Sequence, residues 1–111
     1  MSEPRTTPWI GNLGQMIEYA TDAIVSKTMI DEPRVKVVLF AMSAGQSLSE
    51  HTASMPASIH VLEGSASILL DDTRHEAPPG TYIFMPAHLN HAVDAVTDTV
   101  FLLHLHRGEE S

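Results

Sequence analysis

The chain has 111 residues, 6 of them basic and 14 acidic, so its formal net charge at pH 7 is −8, and it contains no cysteine. This length predicts one domain built around one core rather than two domains. The charge argues against nucleic acids and anionic membrane surfaces as partners, because few basic side chains are present to bind phosphates. The lack of cysteine excludes disulfides, thiol nucleophiles and thiolate metal sites.

The segment Met1 to Ile10 lacks the basic start and apolar stretch of a secretory signal, and the longest apolar run, Val37 to Met42, is too short to span a bilayer. We therefore expect a cytoplasmic protein. Charged residues make up 18% of the chain, whereas an ordinary soluble domain has about 25%. This deficit predicts that a partner covers part of the surface.

The predicted elements, taken in chain order, are one helical patch followed by short strands. Apolar residues at positions 13, 16, 17 and 20 follow the spacing of one helix face, although glycines at 11 and 14 interrupt it. The rest of the chain consists of runs rich in Val, Ile, Leu and Thr that turn residues separate. About eight strands without an intervening helix indicate a β-sandwich or barrel. The predicted strands span residues 24–30, 34–42, 58–63, 65–70, 73–77, 81–85, 91–96 and 99–106.

Three glycines and one acidic pair are interpreted as turn residues. Gly45, Gly64 and Gly80 stand where strands reverse, and glycine adopts positive φ angles there at low cost. Asp71-Asp72 joins two strand runs and is interpreted as a hairpin turn rather than a metal site.

Two glycine-led segments carry the most specific signal. One begins at Gly45 and contains His51; the other begins at Gly80 and contains Pro86 and His91. In order and spacing they resemble the two motifs of the cupin superfamily, G(X)5HXH(X)3–4E(X)6G and G(X)5PXG(X)2H(X)3N.

The resemblance covers about residues 25–107. It implies an all-β fold, the cupin double-stranded β-helix, which is a jelly-roll barrel of antiparallel strands with little helix. Residues 1–111 would then form a single cupin domain with an N-terminal arm over residues 1–24. Activity does not follow from the fold, because this superfamily includes enzymes, storage proteins and sensors.

The resemblance also implies where a metal would be held. Residues two apart on a strand share a face, so the His-X-His of the first motif places two imidazoles side by side. With a glutamate and a histidine from a facing strand, these imidazoles suit Zn, Mn, Fe, Ni or Cu. His51 matches the first ligand position and His91 the last. Ala53 stands at the second histidine position, and Ala57, or Ser58 if the longer spacing is used, stands at the glutamate position. Two of the usual four ligands are therefore missing, and no organic cofactor is indicated.

His88 and His104 are the weaker candidates for a third metal ligand. His88 occupies the glycine position of the second motif, near the barrel mouth, where it is also a candidate ligand contact. His104 shares one face of the last strand with His106; an inward face would bring His104 to the cavity, and an outward face would form a solvated surface or a dimer seam. Of Phe84 and Met85, one is predicted to line the barrel.

Three functions remain open from the sequence. The first is a small-molecule site in the barrel interior at His51, His91, His88 and Met85, with a divalent metal at the first two as an option and the reaction undefined. The second is a non-catalytic ligand-sensing module. The third is a structural dimer with a degenerate metal site, in which the two motif histidines are packed or bonded to a neighbouring backbone group. We expect a homodimer because superfamily members usually pair, and the strands between Ile24 and Phe40 are able to do so.

Overall fold

The structure is a computed structural model that describes residues 6–108, and these residues form nine β-strands and one short helix. The all-β prediction with little helix is confirmed. The helix and strands are α1 (Leu13–Met16), β1 (Ile24–Asp31), β2 (Val35–Met42), β3 (Ser47–His51), β4 (Ala57–Glu63), β5 (Ala66–Leu70), β6 (Thr73–Ala77), β7 (Tyr82–Met85), β8 (His91–Ala95) and β9 (Thr99–His106).

The strands form two antiparallel sheets. The five-stranded sheet has the order β1-β2-β9-β4-β7, and the four-stranded sheet has the order β3-β8-β5-β6. All seven strand pairings described are antiparallel. Strands that are far apart in the sequence therefore lie side by side in both sheets, β2 beside β9 and β3 beside β8, as the predicted jelly roll requires.

Alternate residues of each strand fill the space between the sheets. On β9, Phe101 faces the interior and stacks on Phe40 of β2, with ring centroids 4.9 Å apart and an interplanar angle of 8°. The other large side chains that are buried in this core are Met42, Ile59, Val61, Ile68, Met85 and Val93. The centre of the barrel is thus packed with side chains.

The N-terminal segment covers part of the outer face of the five-stranded sheet. Trp9, Leu13 and Ile17 pack against a second buried cluster that includes Leu39 and Val100. Within this segment α1 forms a single turn, shorter than the predicted patch, because the chain is already extended at residue 17. Among the residues described, no helix has the length and apolar character needed to cross a membrane.

The predicted turn residues have the expected backbone. Gly45, Gly64 and Gly80 have φ angles of 88°, 79° and 94°. Close packing also requires glycine at position 64, because a Cβ there would lie 1.9 Å from the carbonyl oxygen of Asp98. The hairpin prediction for positions 71 and 72 is confirmed: β5 and β6 pair on either side of them, and Asp71 has a φ of 59°.

Candidate functional site

His51 and His91 meet at one end of the barrel. They are paired positions of β3 and β8, with ring centroids 4.2 Å apart and an interplanar angle of 62°. His91 belongs to the inner face of its sheet, like Val93 and Ala95, and is 8% exposed, whereas His51 is exposed. The structure therefore brings together the two residues that the motif spacing singled out.

Each imidazole is held by a backbone carbonyl two residues earlier. Nδ1 of His51 lies 2.8 Å from the carbonyl oxygen of Ser49, and Nδ1 of His91 lies 3.0 Å from that of Leu89. A carbonyl oxygen only accepts hydrogen bonds, so both Nδ1 atoms carry the proton and donate it. In each neutral ring the lone pair is therefore on Nε2, the arrangement that also orients metal-binding histidines.

Polar contacts join β3 to β8 and to the loop that precedes β8. The Ser47 hydroxyl donates to the Asp94 carboxylate, and Arg74 donates to the same carboxylate at 2.6 Å. The Ser47 hydrogen bond, with a second contribution from Arg74, lowers the pKa of Asp94 below its usual value. The Asn90 amide donates to Glu50 at 2.9 Å, and these two residues immediately precede the two paired histidines. The contacts therefore fix the strand ends that carry both imidazoles.

Apolar residues flank His91. Leu70 is its β5 partner, and Leu89 lies two residues before it; both are half-buried against the core. We call Leu70 and Leu89 the apolar rim. The site consequently combines two ring nitrogens that accept hydrogen bonds with a small hydrophobic surface, which is the usual composition of a small-molecule site.

The residues present do not fit a metal held by the protein alone. Ala57, at the position where the resemblance puts a glutamate, is 4% exposed on the inner face and pairs with Met85 and Leu105. Throughout residues 6–108, no three His, Asp or Glu side chains converge as metal ligands. The protein thus supplies two imidazoles where the motif has four ligands.

The structure corrects the prediction of His104 as a third ligand. Its neighbours Leu103 and Leu105 pack against the barrel core, so His104 lies on the outer face of the sheet. His88 is exposed, has a φ of 71° and donates its backbone N–H to the carbonyl of Ala53 at 2.7 Å. It joins no group of metal-ligating side chains among the residues described.

The structure also distinguishes the two candidate barrel-lining residues of β7. Met85 is 2% exposed within the core, and Phe84 is 59% exposed on the opposite face. Met85 thus lies beneath the mouth as a packed side chain. Sequence reasoning missed the two carbonyl contacts of the histidine pair, because they depend on the local backbone, which has a register shift between Leu48 and His51 and a loop just before β8.

A separate cavity of about 380 Å³ lies beside the N-terminal segment. Its lining residues include Tyr19, Asp22, Ser43 and Asp98. Neither His51 nor His91 lines it. Partial burial raises the pKa of Tyr19, and the nearby carboxylates of Glu63 and Asp98 raise it further. This cavity holds acidic and hydroxyl groups without an imidazole, so we place the candidate site at the pair and not here.

Comparisons with known proteins agree with the fold. The sequence model for the cupin domain matches residues 38–106. A conserved protein of unknown function from Streptococcus pyogenes is 26% identical, with a TM-score of 0.84 over 99% of this chain and 98% of that one. A cupin superfamily protein from Desulfitobacterium hafniense is 26% identical, with a TM-score of 0.83 over 95% and 94% of the two chains. An RmlC-like cupin from Desulfovibrio desulfuricans is 28% identical, with a TM-score of 0.83 over 91% and 98%. A search of curated proteins finds no match. Since the family match covers more than half of its length, the chain belongs to the cupin superfamily.

Proposed function

We propose that the protein binds a small molecule at the His51–His91 pair, at the mouth of the barrel. The observation that carries the proposal is the hydrogen bond from each Nδ1 to a backbone carbonyl, which leaves two adjacent Nε2 atoms as acceptors. A ligand with hydrogen-bond donors or a weakly acidic group would meet these nitrogens. Its apolar part would lie against the apolar rim, where burial contributes about 25 cal/mol per Å².

A resident metal is not required by this proposal. Two imidazoles provide half of the motif's ligand set, and Ala57 provides no donor. Of the metals named above, Cu and Zn are the ones best suited to imidazole nitrogen, so they are the ones to assay. We derive no reaction step through a metal.

The second candidate, a catalytic site, rests on the burial of His91. An imidazole that is 8% exposed and donates a hydrogen bond from Nδ1 has its Nε2 lone pair free to accept a proton from a bound ligand. The binding-module candidate uses the same contacts without proton transfer. Product formation from the bound compound distinguishes the two.

The test is a thermal-shift screen of small-molecule classes with untagged protein, run with and without a chelator. We expect the stabilisation by a binding compound to be lost in His51→Ala and in His91→Ala. His60→Ala is the matched control, because His60 lies between Ile59 and Val61, which face the core, and therefore points to the other side of the sheet. Binding that survives in both pair variants would overturn the proposal.

Elemental analysis of the same preparations tests the metal. Stoichiometric Cu or Zn in the wild type that is lost in both pair variants would show that a metal takes part. Ligand stabilisation that is unchanged by the chelator would show binding by the imidazoles alone.

A further inference from the structure

Lys36 lies on the inner face of the five-stranded sheet. Along β2, Phe40 and Met42 belong to the barrel core, whereas Leu39 and Ala41 belong to the cluster on the outer face. Because side chains alternate along a strand, Lys36 has the inward parity of Phe40 and Met42, and it is half-buried. An ammonium group on the core-facing side of a strand is unusual, because its desolvation is costly without an opposite charge.

The position of Lys36 is in the same cross-strand row as the absent carboxylate of the motif. Its β9 partner is Leu105, and Leu105 pairs with Ala57 of β4, where the motif has a glutamate. Ala57 pairs in turn with Met85 of β7. Paired residues share a face, and two strand spacings place the backbones of Lys36 and Ala57 about 10 Å apart. The row that lacks the carboxylate therefore carries an ammonium group.

Two five-residue loops join this row to the histidine pair. One runs from His51 to Ala57, and the other from Met85 to His91. The row and the pair therefore lie at the same end of the barrel, on facing sheets. Packed sheets are about 10 Å apart, and the flexible four-carbon stem of Lys36 carries its ammonium into that gap.

The carboxylate beside Lys36 on β1 is engaged by another residue. Asp31 pairs with Lys36 in register, but its carboxylate accepts a hydrogen bond from Nη1 of Arg107 at 2.5 Å. This hydrogen bond is the main reason that the pKa of Asp31 is lowered, and the attraction of Lys36 is a smaller contribution. The ammonium of Lys36 can consequently bind an anionic group from a ligand.

Exposed carboxylates stand on the opposite side of the histidine pair. Glu50 accepts a hydrogen bond from the Asn90 amide at 2.9 Å. The β5–β6 hairpin carries Asp71 and Asp72, and the Asp71 N–H donates to the Asn90 carbonyl at 2.7 Å. Because like charges repel, an anionic group of a ligand at the pair would be directed away from these residues and toward Lys36.

We propose that Lys36 makes the site selective for hydroxy acids, by binding the carboxylate while a hydroxyl of the same compound donates to Nε2 of His51 or His91. The inference rests on the proposed function, because it needs a ligand at the pair. A hydroxyl suits the Nε2 lone pairs because it donates a hydrogen bond, whereas a carboxylate only accepts. The two polar groups of the ligand therefore have different partners, which fixes its orientation.

The experiment is isothermal titration calorimetry of full-length, untagged protein in the presence of a chelator. The probes are mandelate, its uncharged amide mandelamide, and phenylacetate, which lacks the hydroxyl. We expect mandelate to bind more tightly than either of the others. Lys36→Met keeps the stem and removes the charge, so it should raise the dissociation constant of mandelate about 10-fold, the scale of one hydrogen bond to a charged group. It should leave mandelamide unaffected, and Lys36→Arg should keep the affinity for mandelate.

Lys27→Met is the matched control, because it makes the same change of net charge on the other face of the sheet. Lys27 pairs in register with Leu39 of the outer cluster and forms an ion pair with Glu18 at 3.1 Å. We expect its affinity for mandelate to equal that of the wild type. Thermal unfolding of each variant verifies the fold.

A loss of mandelate affinity in Lys36→Met that Lys36→Arg avoids supports the proposal. An equal loss in Lys27→Met, or an equal loss for mandelamide, overturns it. Phenylacetate that binds as tightly as mandelate overturns the role of the hydroxyl. If mandelamide binds as tightly as mandelate and His51→Ala weakens both, the inference about Lys36 fails and the proposed function stands. If no probe binds, the hydroxy-acid inference fails, and the thermal-shift screen decides the proposed function separately.

Discussion

His51 and His91 are paired positions on neighbouring strands, and the two imidazoles are oriented in the same way, each by the carbonyl two residues earlier. The repeated contact gives both rings the same tautomer, so the pair presents two matched acceptor nitrogens. Both rings are therefore already oriented, because neither has to change its Nδ1 hydrogen bond for Nε2 to accept another. The first prediction concerns the carboxylate ligand of the motif, which this pair lacks.

Restoring the missing carboxylate is expected to restore metal binding. Ala57→Glu places a carboxylate at a position that is 4% exposed, so the metal-free variant should lose about 3–5 kcal/mol of unfolding free energy. Two histidines and one carboxylate make a facial ligand set for divalent metals. We therefore expect Zn²⁺ or Mn²⁺ to raise the melting temperature of Ala57→Glu, measured by differential scanning fluorimetry.

The control for this prediction is the double variant Ala57→Glu with His91→Ala, which should gain nothing from the metal. If the single variant and the double variant respond equally, the carboxylate and the pair do not share a site.

Alanine at Gly64 is expected to cost more stability than alanine at Gly45. Both glycines have positive φ angles, of 79° and 88°, so each substitution costs about 1–2 kcal/mol for the left-handed backbone. A Cβ at Gly45 meets nothing within 4 Å, whereas one at Gly64 would lie 1.9 Å from the Asp98 carbonyl oxygen. The clash adds about 1–3 kcal/mol, and urea unfolding of both variants measures the difference. Equal losses would mean that the backbone near Asp98 moves away freely.

Much of the fold follows from sequence pattern, but the exceptions have identifiable causes. β3 was not among the predicted strands because four of its five residues are exposed and polar, and only Leu48 is half-buried. Its strand conformation depends on pairing with β8, which a local pattern does not contain.

For the candidate site, motif spacing identified the histidine pair but left the direction of His104 open. Alternation along β9 assigns 104 and 106 to one face without saying which face is inside. In the structure Phe101 stacks on Phe40 inside the barrel. Residues 104 and 106 have the opposite parity on β9 and therefore lie on the outer face.

The backbone conformation of His88 is expected to lower the free energy of unfolding. Its φ of 71° lies in the left-handed region, which alanine also adopts poorly and glycine adopts easily. We therefore expect His88→Gly to be more stable than His88→Ala by about 0.5–1 kcal/mol in urea unfolding. Both variants remove the imidazole and keep the backbone hydrogen bond to Ala53, so the comparison isolates the backbone. Equal stabilities would show that the loop relaxes around residue 88.

His104 is expected to make stability depend on pH. Burial lowers its folded-state pKa below the usual 6.5, so the unfolded chain binds a proton more readily than the folded one. Above pH 6.5 the neutral His104 makes its full contribution to the free energy of unfolding. That contribution is lost as the pH falls from 6.5 through the lowered pKa. Urea unfolding at a concentration too low for association should show a smaller loss between pH 7 and pH 5 in His104→Gln than in the wild type. Parallel pH profiles of the two proteins would contradict this assignment.

The final prediction concerns Asp94, which fixes the strand that carries His51. Its carboxylate accepts hydrogen bonds from Ser47 of β3 and from Arg74, and these lower its pKa. Asp94→Asn should therefore lower the free energy of unfolding by about 1 kcal/mol, a modest value because the group is partly exposed. The difference from the wild type should shrink as the pH falls below about 4, where the unfolded carboxyl protonates first. Amide hydrogen exchange should be faster throughout β3 in this variant but unchanged in Asp22→Asn, which makes the same charge change at an exposed position outside the strands. Unaltered exchange in β3 would mean that its backbone pairing with β8 suffices to position His51.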